Sequence, residues 1–586
     1  MYNNSQHTFK THDQTELFYQ HWESISQKNS PNANKKAIIL FHRGHEHSDR
    51  MAHLVDELKL TDFDFFAWDA RGHGDSPGAR GDAPSFAACV KDIQYFLQHI
   101  QHQYNIDENN IAIIGQSVGA VLSATWVHDY APKIRALCLA SPAFDIKLYV
   151  PFAEPGLRVL NHIKGNFFIQ SYVKSSMLTH DKERAQTYDT DPKIARSISV
   201  RMLLGLYDAS KRIVADAQNI FVPTQILCSG SDFVVQQKPQ RDFYDKLPHP
   251  QKEFHVLDGF YHDTLGEKNR AVAIDKIKRF ITQCFASPYQ APDLLHADKI
   301  GSSCAIAETL SAPLPHKSAK YLFWQITKKN LKIGSLLSKG LKIGEDTGYD
   351  SGSTLDFVYR NQTESQNPIG KIIDRQYLNA IGWRGIRIRK ENIEQLFQKY
   401  AKALIENNQP IRILDIASGH GRYILDAVQQ LPQLPNSVLL RDYSEINVKA
   451  GQQMIQERGL EHIAQFVQAD AFDTQSIASI DPRPTLGVVS GLYELFSDND
   501  LLRRSLNGLS QAIEKNGYLI YTGQIWHPQQ EFIARALTSH REGDAWVMRL
   551  RSQAEMDALV EAAGFKKVDQ NIDDFGIFTV SVAQKL

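Results

Sequence analysis

The chain has 586 residues, too many for a single hydrophobic core, so at least two domains are expected. Its 65 Lys and Arg against 66 Asp and Glu leave a formal net charge of −1, which excludes the broad positive footprint of a nucleic-acid binder. No apolar run is long enough to span a bilayer, the opening MYNNSQHTFKTHDQTE lacks a signal-peptide core, and Cys89, Cys138, Cys228, Cys284 and Cys304 are scattered without a CxxC pair, so a cytoplasmic chain with reduced thiols and no metal is expected.

From Ala37 to about Phe285 short apolar runs (AIILF, DFFAWD, IAIIG, ALCLA, TQILCSG, EFHVLDG) alternate with helical stretches, the pattern of a largely parallel sheet wrapped by helices. The rhythm stops between about 143 and 220, where LYVPF, NFFIQSYV and RMLLGLY suggest a helical lid over the carboxyl ends of the strands. Residues 286–317 are rich in Ser, Ala and Pro and read as a linker. A second βα series begins at IRILDIA and runs through SVLLRDY, AQFVQAD, TLGVVSG and GYLIYTG, without internal repeat. The expected domains are therefore 1–285, with the lid at about 143–220, and 318–586.

The run IAIIGQSVGA ends a strand in Gly115-Gln116-Ser117-Val118-Gly119, a sharp strand-to-helix turn that would expose the serine hydroxyl. A serine needs a histidine to take its proton and an acid to orient that histidine, and Asp232 in SGSDFVV and His262 in GFYHDTLGE follow later strands in the order Ser, Asp, His. Backbone N–H groups after His42 in FHRGHEHSDR, with that of Val118, would hold an oxyanion; by position Gly44 is the second donor. With the glycine loop WDARGHGDSPGARG, these motifs make the first half resemble the monoacylglycerol lipase and lysophospholipase group of α/β-hydrolases. That resemblance implies a serine ester hydrolase whose lid admits an acyl chain and touches a membrane surface transiently. Arg43 and His45 stand where that group usually has glycine. The alternative reading is a silent lipid-binding module whose oxyanion loop they spoil.

In the second half, Asp415, Ala417, Ser418, Gly419 and Gly421 of ILDIASGHG form a strand end and a small-residue loop that lets a nucleotide-like group approach the backbone. Asp442 lies about twenty residues on, where an acid reaches ribose hydroxyls, and QADAFD places Asp470 and Ala471 after the next strand. This spacing resembles class I methyltransferases and implies a Rossmann-like fold and S-adenosyl-L-methionine as cofactor; a dehydrogenase and a ligand-free scaffold are the rivals. The leading GYDSGSTLDFVYRN and IDRQYLNAIGWRGIRIRK resemble a subgroup of methyltransferases known only by family assignment. Tyr493 and Glu494 in SGLYELF would face the methyl acceptor. The basic run Arg384, Arg387, Arg389, Lys390 reads either as a dock for an anionic substrate or as a solvated helix face. The expectation is thus an α/β bifunctional enzyme, an ester hydrolase fused to a methyltransferase in lipid-related metabolism, the two activities being sequential or opposed.

Overall fold

The computed structural model describes residues 2–26, 35–541 and 543–586. The chain divides into two compact units, Met1–Pro292 and Asp293–Leu586.

The first unit is built on β1 (Asn3–Lys10), β2 (Glu16–Glu23), β3 (Lys36–Phe41), β4 (Phe63–Trp68), β5 (Ile111–Gln116), β6 (Ala136–Ala140), β7 (Phe168–Gln170), β8 (Ser197–Ser199), β9 (Thr224–Ser229) and β10 (Lys252–Leu257). Eight of them form one sheet in the order β1-β2-β4-β3-β5-β6-β9-β10, parallel from β4 to β10 and closed at one edge by the antiparallel β1 and β2. Every residue of β5 is buried, as a central parallel strand covered on both faces requires. The short β7 and β8 pair within the segment between β6 and β9, beside helices Ala153–Lys164, Lys182–Thr190 and Val200–Ala215. The sequence suggested a helical lid at about 143–220, and this segment holds these helices; its hairpin, and the β1–β2 edge, were not read from the sequence.

The second unit opens with helices, and residues 286–317, expected as a linker, include two of them, Ala297–Ile300 and Ser302–Ser311. Further helices follow at Ala319–Ser335, Lys339–Thr347, Gly352–Arg360, Pro368–Leu378 and Ile381–Glu406. Ser318, Ser338, Ser351 and Asn367 cap four of these, each accepting a first-turn N–H. The sheet then runs β11 (Arg412–Asp415), β12 (Ser437–Asp442), β13 (Ala464–Gln468), β14 (Leu486–Val489), β15 (Tyr518–Gln524), β16 (Phe565–Ile572) and β17 (Phe578–Lys585). Its order is β13-β12-β11-β14-β15-β17-β16, with β17 antiparallel to both neighbours.

In both sheets strand order reverses about a central strand. The crevice at the carboxyl ends there is where open α/β sheets bind ligands. It lies between β3 and β5 in the first unit and between β11 and β14 in the second.

Candidate functional site

Ser117 joins β5 to the buried helix Val118–Tyr130 with φ +55° and ψ −113°, a backbone conformation that a non-glycine residue holds only under constraint. The constraint is visible on either side. A Cβ on Gly115 would lie 2.8 Å from Gly119 O, and one on Gly119 would lie 2.4 Å from His42 O, so only glycine fits at both positions. The serine is left at the crevice, and Ser117 Oγ is 2.8 Å from His262 Nε2. His262 Nδ1 lies 2.8 Å from Asp232 Oδ2. A carboxylate only accepts, so Nδ1 carries the proton and Nε2 accepts from the serine hydroxyl. Asp232 is fixed in turn: its Oδ1 accepts from Val234 N at 2.7 Å and Val235 N at 3.0 Å. Burial raises its pKa, but His262 and these bonds leave it below the ordinary value. The three residues expected to act together are therefore one hydrogen-bonded chain.

Gly44 and Val118 also meet, since a Cβ on Gly44 would stand 2.9 Å from Val118 Cγ2. Both line a cavity of about 110 Å³ with Ser117, His262 and the lid residues Ile169 and Leu203. Arg43 lines the same cavity, but its charge is engaged: Nε and Nη2 each donate to Glu46 at 2.7 Å, and Asp263 Oδ1 is 3.9 Å away. Asp263 collects more. Gln116 Nε2, next to the serine, donates to Oδ1 at 3.0 Å, and Arg184 Nε, from the lid helix Lys182–Thr190, donates to Oδ2 at 2.5 Å. Burial works to raise the Asp263 carboxyl, yet Arg184 and Arg43 hold it far below the ordinary range. The extra arginine in the oxyanion loop is thus neutralised within a buried network. His45 takes φ +72°, and burial lowers its pKa to about 4, so it is uncharged near neutrality. Glu46, Asp263 and Arg184 were not singled out in the sequence: Glu46 stands three residues from Arg43, a spacing that could have suggested the pair, whereas nothing in local spacing joins Arg43 to Asp263 or Arg184.

In the second unit the carboxyl ends of β11, β12, β13 and β14 present Asp415, Asp442, Asp470 and the segment containing Glu494. Asp415 is fully buried; Tyr423 OH donates to its Oδ2 at 2.6 Å, while Oδ1 has no hydrogen-bond partner. Burial pushes this carboxyl up to about 7. Gly419 and Gly421 take φ +57° and +76°, the left-handed turn that the loop needs. Ser418 Oγ donates to Asp415 O at 3.2 Å, and Ala417 completes the loop. Asp442 is more occupied than expected: Oδ2 accepts from Gly419 N, and Oδ1 from Ser444 N and Asn447 Nδ2, all at 2.9 Å. A carboxylate has about four acceptor positions, so one remains for a ligand, on Oδ2. Tyr443 beside it is 78% exposed and was overlooked. Asp470 is exposed with Oδ1 on Phe472 N at 2.8 Å, and Ala471 is buried.

Two expectations on the acceptor side change. Tyr493 is buried with its hydroxyl 3.0 Å from Ser505 Oγ, so it belongs to the core; Glu494 alone of the pair lines the neighbouring cavity. The basic run does not act as one face: Arg384 is exposed, as a solvated position would be, while the other three are engaged or buried. Helical spacing divides it: Lys390 pairs with Asp426 and Arg387 donates to Leu378 O, while Arg389 is buried and lines the cavity with Glu494.

Residues 277–585 match the family model described as "Putative methyltransferase", and residues 32–269 match one described as "Serine aminopeptidase, S33". The chain is 51% identical over 579 residues to "Uncharacterized protein YnbC" of Escherichia coli (strain K12), covering 99% of this chain and 98% of that protein. It is 26% identical over 252 residues to "Monoglyceride lipase" of Rattus norvegicus, 42% of this chain and 79% of the relative. A crystal structure of Paleococcus ferrophilus monoacylglycerol lipase aligns at 21% identity with a TM-score of 0.41, covering 46% of this chain and 99% of that one. With its α/β-hydrolase half similar to monoglyceride lipases and its Rossmann-like half behind it, the chain belongs to the family described as "Putative methyltransferase".

Proposed function

We propose that the protein is a bifunctional enzyme, a serine ester hydrolase joined to an S-adenosyl-L-methionine-dependent methyltransferase. The observation that carries the first half is the hydrogen-bonded chain from Asp232 through His262 to Ser117 at a constrained strand-to-helix turn. Ser117 Oγ attacks the ester carbonyl while His262 Nε2 takes its proton, and Asp232 holds the imidazole in the tautomer that can do so. The backbone N–H groups of Gly44 and Val118 stabilise the oxyanion. His262 returns the proton to the departing alkoxide, and a water activated by the same histidine releases the acid and restores the serine. The substrate class is an acyl ester of a lipid, favoured by the apolar cavity under the lid. Phe152, Val159 and Ile163, 84%, 59% and 70% exposed at helix Ala153–Lys164, suit transient contact with a lipid surface. Among the described residues no helix is long and apolar enough to cross a membrane.

The residues of the second half fit the cofactor. Asp415 offers a buried, unpartnered oxygen, and Gly419 and Gly421 keep the loop free of side chains. Asp415 and the loop to Gly421 would hold the methionine portion, Asp442 the ribose, and Asp470 and Ala471 the adenine edge. The bound cofactor supplies the methyl group; the chain aligns the acceptor with it, chiefly by proximity.

Turnover of p-nitrophenyl esters by wild type and not by Ser117→Ala, with fluorophosphonate labelling confined to wild type, is expected. Labelling of neither would return the first half to a lipid-binding module. Calorimetric binding of S-adenosylhomocysteine, with no binding of NAD, is expected of the second half; the reverse would make it a dehydrogenase.

A further inference from the structure

A cavity of about 340 Å³ lies in the second unit by the carboxyl ends of β14 and β15, within the size range of small-molecule sites, ~300–1,000 Å³. Its body is apolar and aromatic, with Trp383 and Trp546 stacked at 6.4 Å between ring centres and Ile386 and Phe532 beside them. Asp350, Gln376, His527 and Gln529 are among its polar lining, and three further polar groups come from separate elements. Glu494 follows β14, Gln524 ends β15, and Arg389 comes from helix Ile381–Glu406. Thr522 Oγ1 donates to Glu494 Oε1 at 2.7 Å, and Arg389 Nη1 is 3.7 Å from the same carboxylate oxygen.

The second carboxylate oxygen, Glu494 Oε2, is buried without a hydrogen-bond partner. Gln524 Nε2 and Trp546 Nε1 are likewise unpaired. Glu494 is 9% exposed and Gln524 4%, so neither end is satisfied by bulk solvent. Buried polar groups are rarely left unpaired, and several converging on one apolar cavity mark a place where a ligand supplies their partners. His527 adds a donor: its Nδ1 accepts from Gln529 N at 3.0 Å and burial lowers its pKa to about 4, so the neutral ring carries its proton on Nε2. That nitrogen would lie 2.9 Å from a Cβ on Gly382, so a side chain there would crowd it.

We propose that this cavity binds an apolar molecule through a neutral hydroxyl, which donates to Glu494 Oε2 and accepts from Gln524 Nε2. A hydroxyl does both at a single atom. A ligand carboxylate would set a second negative charge against Glu494 with only one shared arginine, and an ammonium would leave the Gln524 N–H without an acceptor. Of the acid and the alcohol released by cleavage of an ester, the cavity is made for the second kind of group. That this hydroxyl is also the methyl acceptor rests on the methyltransferase reading above. In that role the hydroxyl oxygen would form the new O–CH₃ bond as the methyl–sulfur bond of a bound cofactor broke, leaving a neutral thioether, and Glu494 Oε2 would take the hydroxyl proton.

The test titrates the full-length chain, without cofactor, with 4-hexylphenol and 1-decanol, which separate aryl from alkyl sources of the hydroxyl. Hexylbenzene and 4-hexylbenzoic acid are the controls. Binding is read by calorimetry and by fluorescence of the cavity tryptophans. At least one hydroxyl probe is expected to bind about tenfold or more tightly than both controls, and Glu494→Gln and Gln524→Leu are each expected to weaken it about tenfold. Glu494→Gln preserves volume, and melting curves confirm that both variants are folded. Equal or tighter binding of the benzoate, binding indifferent to both substitutions, or no hydroxyl probe bound would each overturn the proposal. Hydroxyl binding without production of S-adenosylhomocysteine in the presence of cofactor would leave the site standing and overturn the assignment of its hydroxyl as the methyl acceptor. Binding of S-adenosylhomocysteine with no hydroxyl probe bound would overturn the site and leave the methyltransferase reading standing.

Discussion

Asp232 illustrates how much one side chain's surroundings dictate its variants. Oδ1 is pinned by two backbone N–H groups, so in Asp232→Asn the amide oxygen must take that place and the NH₂ must face His262. His262 Nδ1 would then have to accept, leaving Nε2 protonated and unable to take the serine's proton. Ester turnover is expected to fall about 10⁴-fold with little change in melting temperature, measurable by steady-state kinetics and thermal unfolding. Asp415 gives a pH prediction of the opposite kind. Its folded pKa, raised to about 7 by burial, lies above the ordinary 3.8, so between these values the folded chain binds more protons than the unfolded. Its contribution to stability is full below the ordinary value and is lost as pH rises through 7. Asp415→Asn should therefore melt progressively higher relative to wild type between pH 5 and 8, by an amount on the order of a few kcal/mol at the upper end, as read from melts across that range.

At the scale of elements, the segment between β6 and β9 lines the cavity beside Ser117, and the leading helices line that of the second unit. The cavity beside Ser117 is about 110 Å³, small against the ~300–1,000 Å³ of drug-sized sites. p-Nitrophenyl butyrate is accordingly expected to be cleaved with a higher kcat/KM than the palmitate ester in detergent-free solution, and chain-length profiles check this. In the second unit helix Gly352–Arg360 comes close to the loop at Gly419: a Cβ on Gly419 would meet Gly352 Cα at 3.6 Å, and one on Gly352 would meet Asn447 Oδ1 at 2.7 Å. Asn447 is bonded to Asp442. A valine at Gly352 would push that helix or Asn447 aside, and about a tenfold loss of S-adenosylhomocysteine affinity by calorimetry is the expected result of Gly352→Val.

For the whole molecule, each unit has its own sheet and core, so each can respond to its own ligand. A covalent fluorophosphonate and S-adenosylhomocysteine are expected to raise different melting transitions of the full-length chain, seen by calorimetry with either ligand alone and with both. A single transition moved by both would mean that the units unfold together.

The sequence by itself determined what local pattern and chain order encode. Alternating apolar runs and helical stretches specified two α/β halves, and GQSVG with Asp232 and His262 after later strands specified a serine, acid and histidine in working order. Those features survive because strand periodicity and tight turns are written in neighbouring residues. The tertiary structure alone decided which residues meet across the chain. It drew Arg43 onto Glu46 and Asp263, buried Tyr493 while leaving Glu494 in a cavity, and separated Arg389 from the other basic residues of its helix. Arg43 and Glu46 are only three residues apart, but Asp263 lies 220 residues on and Glu494 more than a hundred from Arg389, and no local pattern announces partners at such distances. Burial, and with it the charge each group can hold, is set only when those distant segments pack.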